Sequence, residues 1–147
     1  MRDILRTLHR DTVTIFNKIT DTLYEREIWY ATVIKHVRMD IDQQENVAKT
    51  GLKDADRCNL IIPLSSPDKT FIALKTFENM TDSERKQHWT LRKDDFFIRG
   101  DLSNISLENA NLFEWASKTY GEYNVFRITS IGDLTGNCLP KWKVGGK

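Results

Sequence analysis

The sequence predicts a small, mainly β (α+β) domain, barrel-like, with six or seven strands and one clear helix. Three observations carry that expectation. From Ile28 to Asp42 the side chains alternate by twos. Trp29, Ala31, Val33, Val37, Met39 and Ile41 are apolar and share a parity; Tyr30, Thr32, His36, Arg38, Asp40 and Asp42 lie opposite, and Ile34 and Lys35 break the pattern. Successive strand residues point to opposite faces, so the run reads as one long strand with a buried face. It exceeds the usual strand of about five or six residues, and so should bend or be shared between two sheet edges, as in small barrels. Second, short β-type runs recur between clusters of Gly, Pro, Asn and Asp. Third, one segment, Ser106 to Tyr120, carries an apolar stripe at helical spacing.

The elements follow in order. Residues 1–10 form a short N-terminal arm with Ile4, Leu5 and Leu8 at helical spacing, an amphipathic arm or a frayed end. Asp11 to Phe16 reads as a strand, Val13 and Ile15 on one face and Thr12 and Thr14 on the other. Asn17 to Arg26 is a polar connection into the long strand. Residues 43–54 have no sustained period and read as an exposed loop, long enough for a compact domain to suggest a use. Asp56 to Ile62 is the next strand, with Cys58, Leu60 and Ile62 facing one way and Pro63 ending it, since proline cannot donate to a ladder. Ser65-Ser66-Pro67-Asp68 is a turn cluster.

Phe71, Leu74 and Phe77 predict a short helix within Phe71–Met80, followed by a charged loop over Thr81–Gln87. Trp89–Leu91 and Phe96–Arg99 read as strands joined by a turn at Arg92-Lys93-Asp94-Asp95. In Ser106–Tyr120 the Ser106 hydroxyl is the expected N-cap and Gly121 the left-handed stop. The helical insertion spans 101–121. Val125 to Ile131 returns to strand, and Gly132-Asp133 with Thr135-Gly136-Asn137 mark a turn. Pro140, Trp142 and Val144 alternate with Lys141 and Lys143 in a last strand, read as an edge because proline and exposed lysines guard edges.

A chain of 147 residues suits one domain, 1–147, with a real core. Twenty-two basic against 21 acidic residues, a net charge of +1, give no whole-protein reason to bind nucleic acid or an anionic membrane. No apolar run approaches the roughly 20 residues of a membrane span, and the N-terminus lacks a secretory signal's apolar core. Folding in a cytoplasm is therefore expected. There Cys58 acts as a small hydrophobe, Cys138 lies in a Gly-Asn-Cys-Leu-Pro loop, and a disulfide between them is not expected.

Little here points to catalysis. The three histidines, His9, His36 and His88, are scattered, with no pair at metal-binding spacing. Asp40 and Asp42 share a strand face and could meet a hard cation, but a solvated face explains them as well. Asp94-Asp95 is a second carboxylate pair. No nucleophile elbow, Walker-type loop or dinucleotide fingerprint occurs. Gly145-Gly146 precedes no helix and so cannot cradle a phosphate in the usual way. The four tryptophans sit on or beside apolar stripes, which favours packing in a core or at a subunit interface. Trp29 and Trp142 are the interface candidates. The expectation is a binding or assembly module, not an enzyme, with no metal and no cofactor.

Several stretches carry a resemblance. These are Thr12-Val13-Thr14-Ile15-Phe16-Asn17, Trp29-Tyr30 leading into Thr32-Val33, Lys49-Thr50-Gly51-Leu52 with Ala55-Asp56, and Ile62-Pro63. Further on come Trp89-Thr90-Leu91, Asp95, Arg99-Gly100, Ile128-Thr129-Ser130-Ile131 and the ending Trp142-Lys143-Val144-Gly145-Gly146-Lys147. In that order they resemble an uncharacterised family of tailed-phage and prophage proteins of Gram-positive hosts, encoded in the head–tail connector region. The layout is also similar to head-closure, or stopper, proteins of the phage neck. The resemblance implies a small barrel in a homo-oligomeric ring, often sixfold, between a portal-adaptor assembly and a tail-terminator protein. It implies a virion location after assembly in the host cytoplasm, passage of double-stranded DNA without sequence-specific binding, and no membrane. The loop after the long strand would then face the channel or dock a ring, giving Asn46, Lys49, Thr50, Gly51, Leu52 and Lys53 as its candidate residues. The alternatives are a minor capsid or tail-completion protein, or an assembly or nucleic-acid-processing factor.

Overall fold

β-Branched and aromatic alternation governs the architecture, as expected for strands that each bury a face. The computed structural model describes residues 10–21, 26–41, 57–107, 111–121 and 124–147. Its elements run β1 (Asp11–Asp21), β2 (Arg26–Ile41), β3 (Cys58–Pro63), β4 (Thr70–Phe71), α1 (Leu74–Glu78), α2 (Asp82–Arg85) and β5 (His88–Trp89). Then come β6 (Phe96–Arg99), α3 (Leu112–Tyr120), β7 (Val125–Leu134) and β8 (Lys141–Gly146). Among the described residues, six strands close an antiparallel barrel in the order β1-β2-β3-β8-β7-β6, and β4 and β5 form a separate parallel pair. The mainly β, barrel-like class holds.

The long strand is shared, as its length requires. β1 pairs with β2 from Asp21↔Arg26 to Asp11↔Val37, and β3 takes over at Arg38–Ile41. Its single-faced reading needs correction. Asp11 stands opposite Val37 but Thr12 opposite Lys35, which leaves His36 as the extra residue of a bulge, at φ 59°. A bulge re-phases everything beyond it. Ile34 and Val37 therefore both point into the barrel with Met39 and Ile41, whereas Trp29 and Ala31 point out. The pattern break at Ile34 and Lys35 marked the bulge. β7 repeats the device: it pairs with β6 over Val125–Arg127 and with β8 over Ile128–Leu134, with a register shift between Ile128 and Ser130.

The inner core joins Val13, Ile15, Ile34, Leu60, Ile62, Phe97, Phe126 and Val144 from six strands. The outer face of β1, β2 and β6 presents Phe16, Trp29, Phe96 and Ile98 to Leu112 and Ala116 of α3. Phe16 and Phe96 stack at 4.7 Å, and Trp29 meets Phe96 edge-on at 5.1 Å. A third cluster packs Ile19 and Tyr30 of the β1–β2 hairpin on Phe77 of α1.

Register also fixes what lies at each end of the barrel. Asp11, Ile41, Cys58 and Gly146 gather at one end, which carries the connection spanning 42–56. At the other end lie the β1–β2 hairpin tip, Pro63, and the β7–β8 turn after Leu134. Residues 64–95, with β4, α1, α2 and β5, fill the space between those two hairpins.

Other expectations shift locally. The last strand is no edge: β8 lies between β3 and β7, and Pro140 precedes it, so no ladder donor is lost. The Thr81–Gln87 loop contains α2, started by a capping box in which Glu84 N–H donates to the Thr81 hydroxyl and Thr81 N–H to the Glu84 carboxylate. The main helix starts at Leu112, and Ser106 is not its N-cap. Upstream, Ser103 N–H donates to the Asp101 carboxylate and Ile105 N–H to Leu102 O, local turns that compete with helix. Gly121 does end α3, at φ 89°. β7 runs on through Leu134, which moves the turn to Thr135-Gly136. Of Trp89–Leu91 only Trp89 is in strand, paired through His88–Trp89 with β4.

Candidate functional site

Two surfaces, one at each end of the barrel, emerge from this frame. Asn46, Lys49, Thr50, Gly51, Leu52 and Lys53 lie outside the described residues, but the base that carries their loop is defined. Its two stems are the end of β2 and the start of β3, locked by Arg57 N–H donating to Gly146 O at 2.7 Å. Met39 N–H donates to the Asp11 carboxylate at 3.0 Å, which ties the bulged corner down. Arg38 Nε and Asp40 Oδ1 form an exposed ion pair at 3.1 Å. Asp40 thus faces an arginine, and Asp42, its suggested partner for a cation, lies outside the described residues. Among the described residues both signs meet here: Asp11, Asp40, Arg57 and Arg99 all act on the Cys58 thiol. Burial pushes the Cys58 thiol up to about 12, with Asp40 adding to the shift, which leaves it inert at the foot of the loop.

The opposite end holds a cleft of about 510 Å³. Phe71, Trp89 and Trp142 form its aromatic wall, their rings 4.9–5.0 Å apart, with Leu64 and Pro67 at the rim. Lys69 and Asp133 supply its charges. Lys69 Nζ donates to Ala31 O at 2.9 Å and to Thr32 Oγ1 at 3.3 Å, and burial lowers its pKa. That bond covers a carbonyl on the part of β2 that β3 leaves unpaired. Ser66 Oγ does the same for His36 O at 2.9 Å. Both are protections of an otherwise open edge. Asp133 accepts from Thr135 N–H and Oγ1–H, which holds its carboxyl below the usual range.

Trp29 and Trp142 are 8% and 4% exposed. Both are taken up by packing within this chain, the core alternative of the two open for them. Their indole N–H groups, with that of Trp89, are buried without a hydrogen-bond partner. The surface tryptophan is instead Trp115, on α3.

Between the two ends lies a buried polar stitch that sequence reasoning missed. Asn17 Nδ2 donates to Thr90 O at 2.9 Å and to Asp95 Oδ2 at 3.2 Å; Lys18 N–H donates to Asp95 Oδ1 at 3.3 Å. Arg92 Nη1 reaches Lys18 O at 3.1 Å. Asp95 is 1% exposed, and burial raises its pKa to about 6 against the pull of these donors. Asp94 beside it is exposed, so the carboxylate pair is divided between two environments. The missed signal was parity: Asn17 falls in the inward series Val13, Ile15, Asn17, Ile19. A polar residue there needs buried partners.

Nothing in these arrangements assembles a nucleophile with a base. His36 supplies the bulge, and His88 Nδ1 meets Glu84 O at 2.8 Å. Among the described residues no three His, Cys, Asp or Glu side chains gather as a metal set, and no helix is long and apolar enough to cross a membrane. In comparisons with known proteins, a family described as of unknown function, DUF6751, matches residues 8–147. Neither the curated proteins nor the solved structures give a match.

Proposed function

The chain belongs to that family of unknown function, DUF6751, and we propose that it is a structural protein of the tailed-phage neck, a head-closure ring subunit that acts without chemistry. The observation that carries the reading is a closed six-stranded barrel whose second strand serves both halves and whose next connection, residues 42–56, leaves one end. A closed barrel offers its sides to identical neighbours and its ends to the assemblies above and below. Many modest contacts then hold a ring by multivalency. The mixed charges at the loop base support a DNA-facing role, because a strongly basic wall would hold phosphates and stall passage.

The protein's stoichiometry in purified particles tests the assignment. A copy number matching a ring at the head–tail joint is expected, and absence from particles that need the protein to assemble would replace the neck reading with an assembly factor. The loop is tested separately. Shortening residues 46–53 should leave the barrel folded, since both stems are pinned at its base, but release DNA from filled heads or block tail joining. Normal phage yield and DNA retention with the shortened loop would remove any gating or docking role for it.

A further inference from the structure

Beyond Phe16 the β1–β2 hairpin leaves the barrel. β6 pairs with β1 only from Val13 to Phe16, and β3 joins β2 only at Arg38. Among the described residues, Asn17–Asp21 and Arg26–Tyr30 pair with each other and with no third strand. A two-stranded ribbon is marginal by itself, so its attachments decide whether it stays down. One attachment is to the helices: Ile19 and Tyr30 pack on Phe77, and the Tyr30 hydroxyl donates to Asp82 Oδ1 at 2.7 Å. The other is the Asp95 stitch. The backbone there belongs to the barrel, since Asp94 N–H donates to Ile128 O at 3.0 Å and Ile128 N–H to Asp95 O at 2.8 Å. The side chain reaches across to the first two residues of the ribbon, Asn17 and Lys18.

That carboxyl is buried, and both its oxygens meet neutral amide donors. Lys18 and Arg92 are the charged groups that face it. Each is engaged elsewhere: the Lys18 ammonium with Glu27 at 3.4 Å, the Arg92 guanidinium with Lys18 O at 3.1 Å. Burial without a paired cation disfavours the charged form of a carboxyl. Thr90, whose backbone joins the stitch, also buries its hydroxyl without a partner, a further cost of the closed form. We propose that this ribbon is a hinged element latched to the barrel by the protonated Asp95 carboxyl, and that loss of the proton frees it to swing out, exposing Ile19, Tyr30 and Phe77 while the six-stranded barrel stays closed. The latched carboxyl titrates at about 6 and a released one at the ordinary 3.8. The latched form is therefore favoured in acid. Opening rises with pH between those values, about a hundredfold in all, and then levels off. The device needs only the chain itself and stands apart from the neck reading.

Amide hydrogen exchange of the full-length protein from pH 4 to 7.5 tests it, read by NMR as protection factors, in which the intrinsic pH dependence of exchange is divided out. The Lys18 amide donates to Asp95 and the Thr90 amide to Asn17 Oδ1. Both should be less protected than the amides of Leu60 and Ile61 in the barrel wall, and their protection should fall about a hundredfold between pH 4 and 7. Asp95→Asn keeps a neutral side chain and should hold their protection level across the range. Protection equal to that of Leu60 and Ile61 at every pH would mean that the stitch opens only with the whole protein. Lower protection that ignores pH would mean that the carboxyl is not the latch. Either result overturns the proposal, and so does a fall that persists in Asp95→Asn. The wild-type titration decides the first two outcomes without any variant, so the test stands even if Asp95→Asn fails to fold.

Discussion

A Cβ on Gly146 would stand 2.8 Å from the Cβ of Phe126 and 2.9 Å from Cζ of Phe97. Those two rings lie 5.5 Å apart in the sealed inner core and have no room to retreat. The glycine near the chain's end is therefore a packing requirement, not a phosphate loop. Gly146→Ala should destabilise the protein by about 1–3 kcal/mol, the cost of overpacking, read as a drop in the denaturant midpoint at unchanged slope. Asp95 gives a second test, of opposite character. Its folded pKa, about 6, lies above the ordinary 3.8, so the folded chain holds a proton that the unfolded chain releases between those values. The associated stability is fully present in acid below about pH 4 and is lost as pH rises through about 6, amounting to about 3 kcal/mol. Asp101 and Asp133 work the other way, since hydrogen bonds lower their pKa values. Asp95→Asn removes one proton site from the balance. The wild type should lose melting temperature relative to Asp95→Asn between pH 5 and 7.5; parallel curves would show that Asp95 titrates normally.

At the level of elements, the His36 bulge is the point on which β2 turns. Its φ of 59° suits glycine and penalises a β-branched side chain. His36→Val should cost about 1–2 kcal/mol and His36→Gly nothing, measured by equilibrium unfolding. Loss from the glycine variant would mean that the imidazole itself holds the corner. The same position shows what the sequence could disclose. Alternation over Ile28–Asp42 revealed the strand and its sharing, because burial imposes a period of two. It could not reveal which stretch faced inward, because α3 covers the outer face and buries Trp29 there as the barrel interior buries Ile34. Ser106–Tyr120 was legible as a helix only in part: Leu112–Tyr120 forms one and buries Leu112 and Ala116, while upstream Asp101 and Leu102 hold the backbone in local turns through Ile105. The aromatic cleft stayed hidden because its wall is drawn from Phe71, Trp89 and Trp142, each in a different strand and brought together only when the barrel closes. The charged candidates fared no better: Asp95 looked like half of a surface pair and is a buried anchor.

For the whole molecule, barrel closure sets what is reachable. Cys58 sits at the end bearing the 42–56 connection and Cys138 in the turn at the opposite end, so the two remain free and apart. Burial pushes Cys58 up to about 12, whereas Cys138 is exposed. Native protein should therefore expose one fast-reacting thiol to a maleimide, and the second only on unfolding; two fast thiols would mean that the base of the barrel opens on the timescale of labelling. The shared strands have a further effect. β2 and β7 each contribute one half to each side of the barrel, so neither side owns a complete set of hydrogen-bonded neighbours. Fraying one side strips pairing from the other, and a partly opened barrel gains chain entropy only after surrendering contacts on both. The two halves form one cooperative unit. A barrel of this kind does not yield piecemeal: it stays shut or comes apart as a whole.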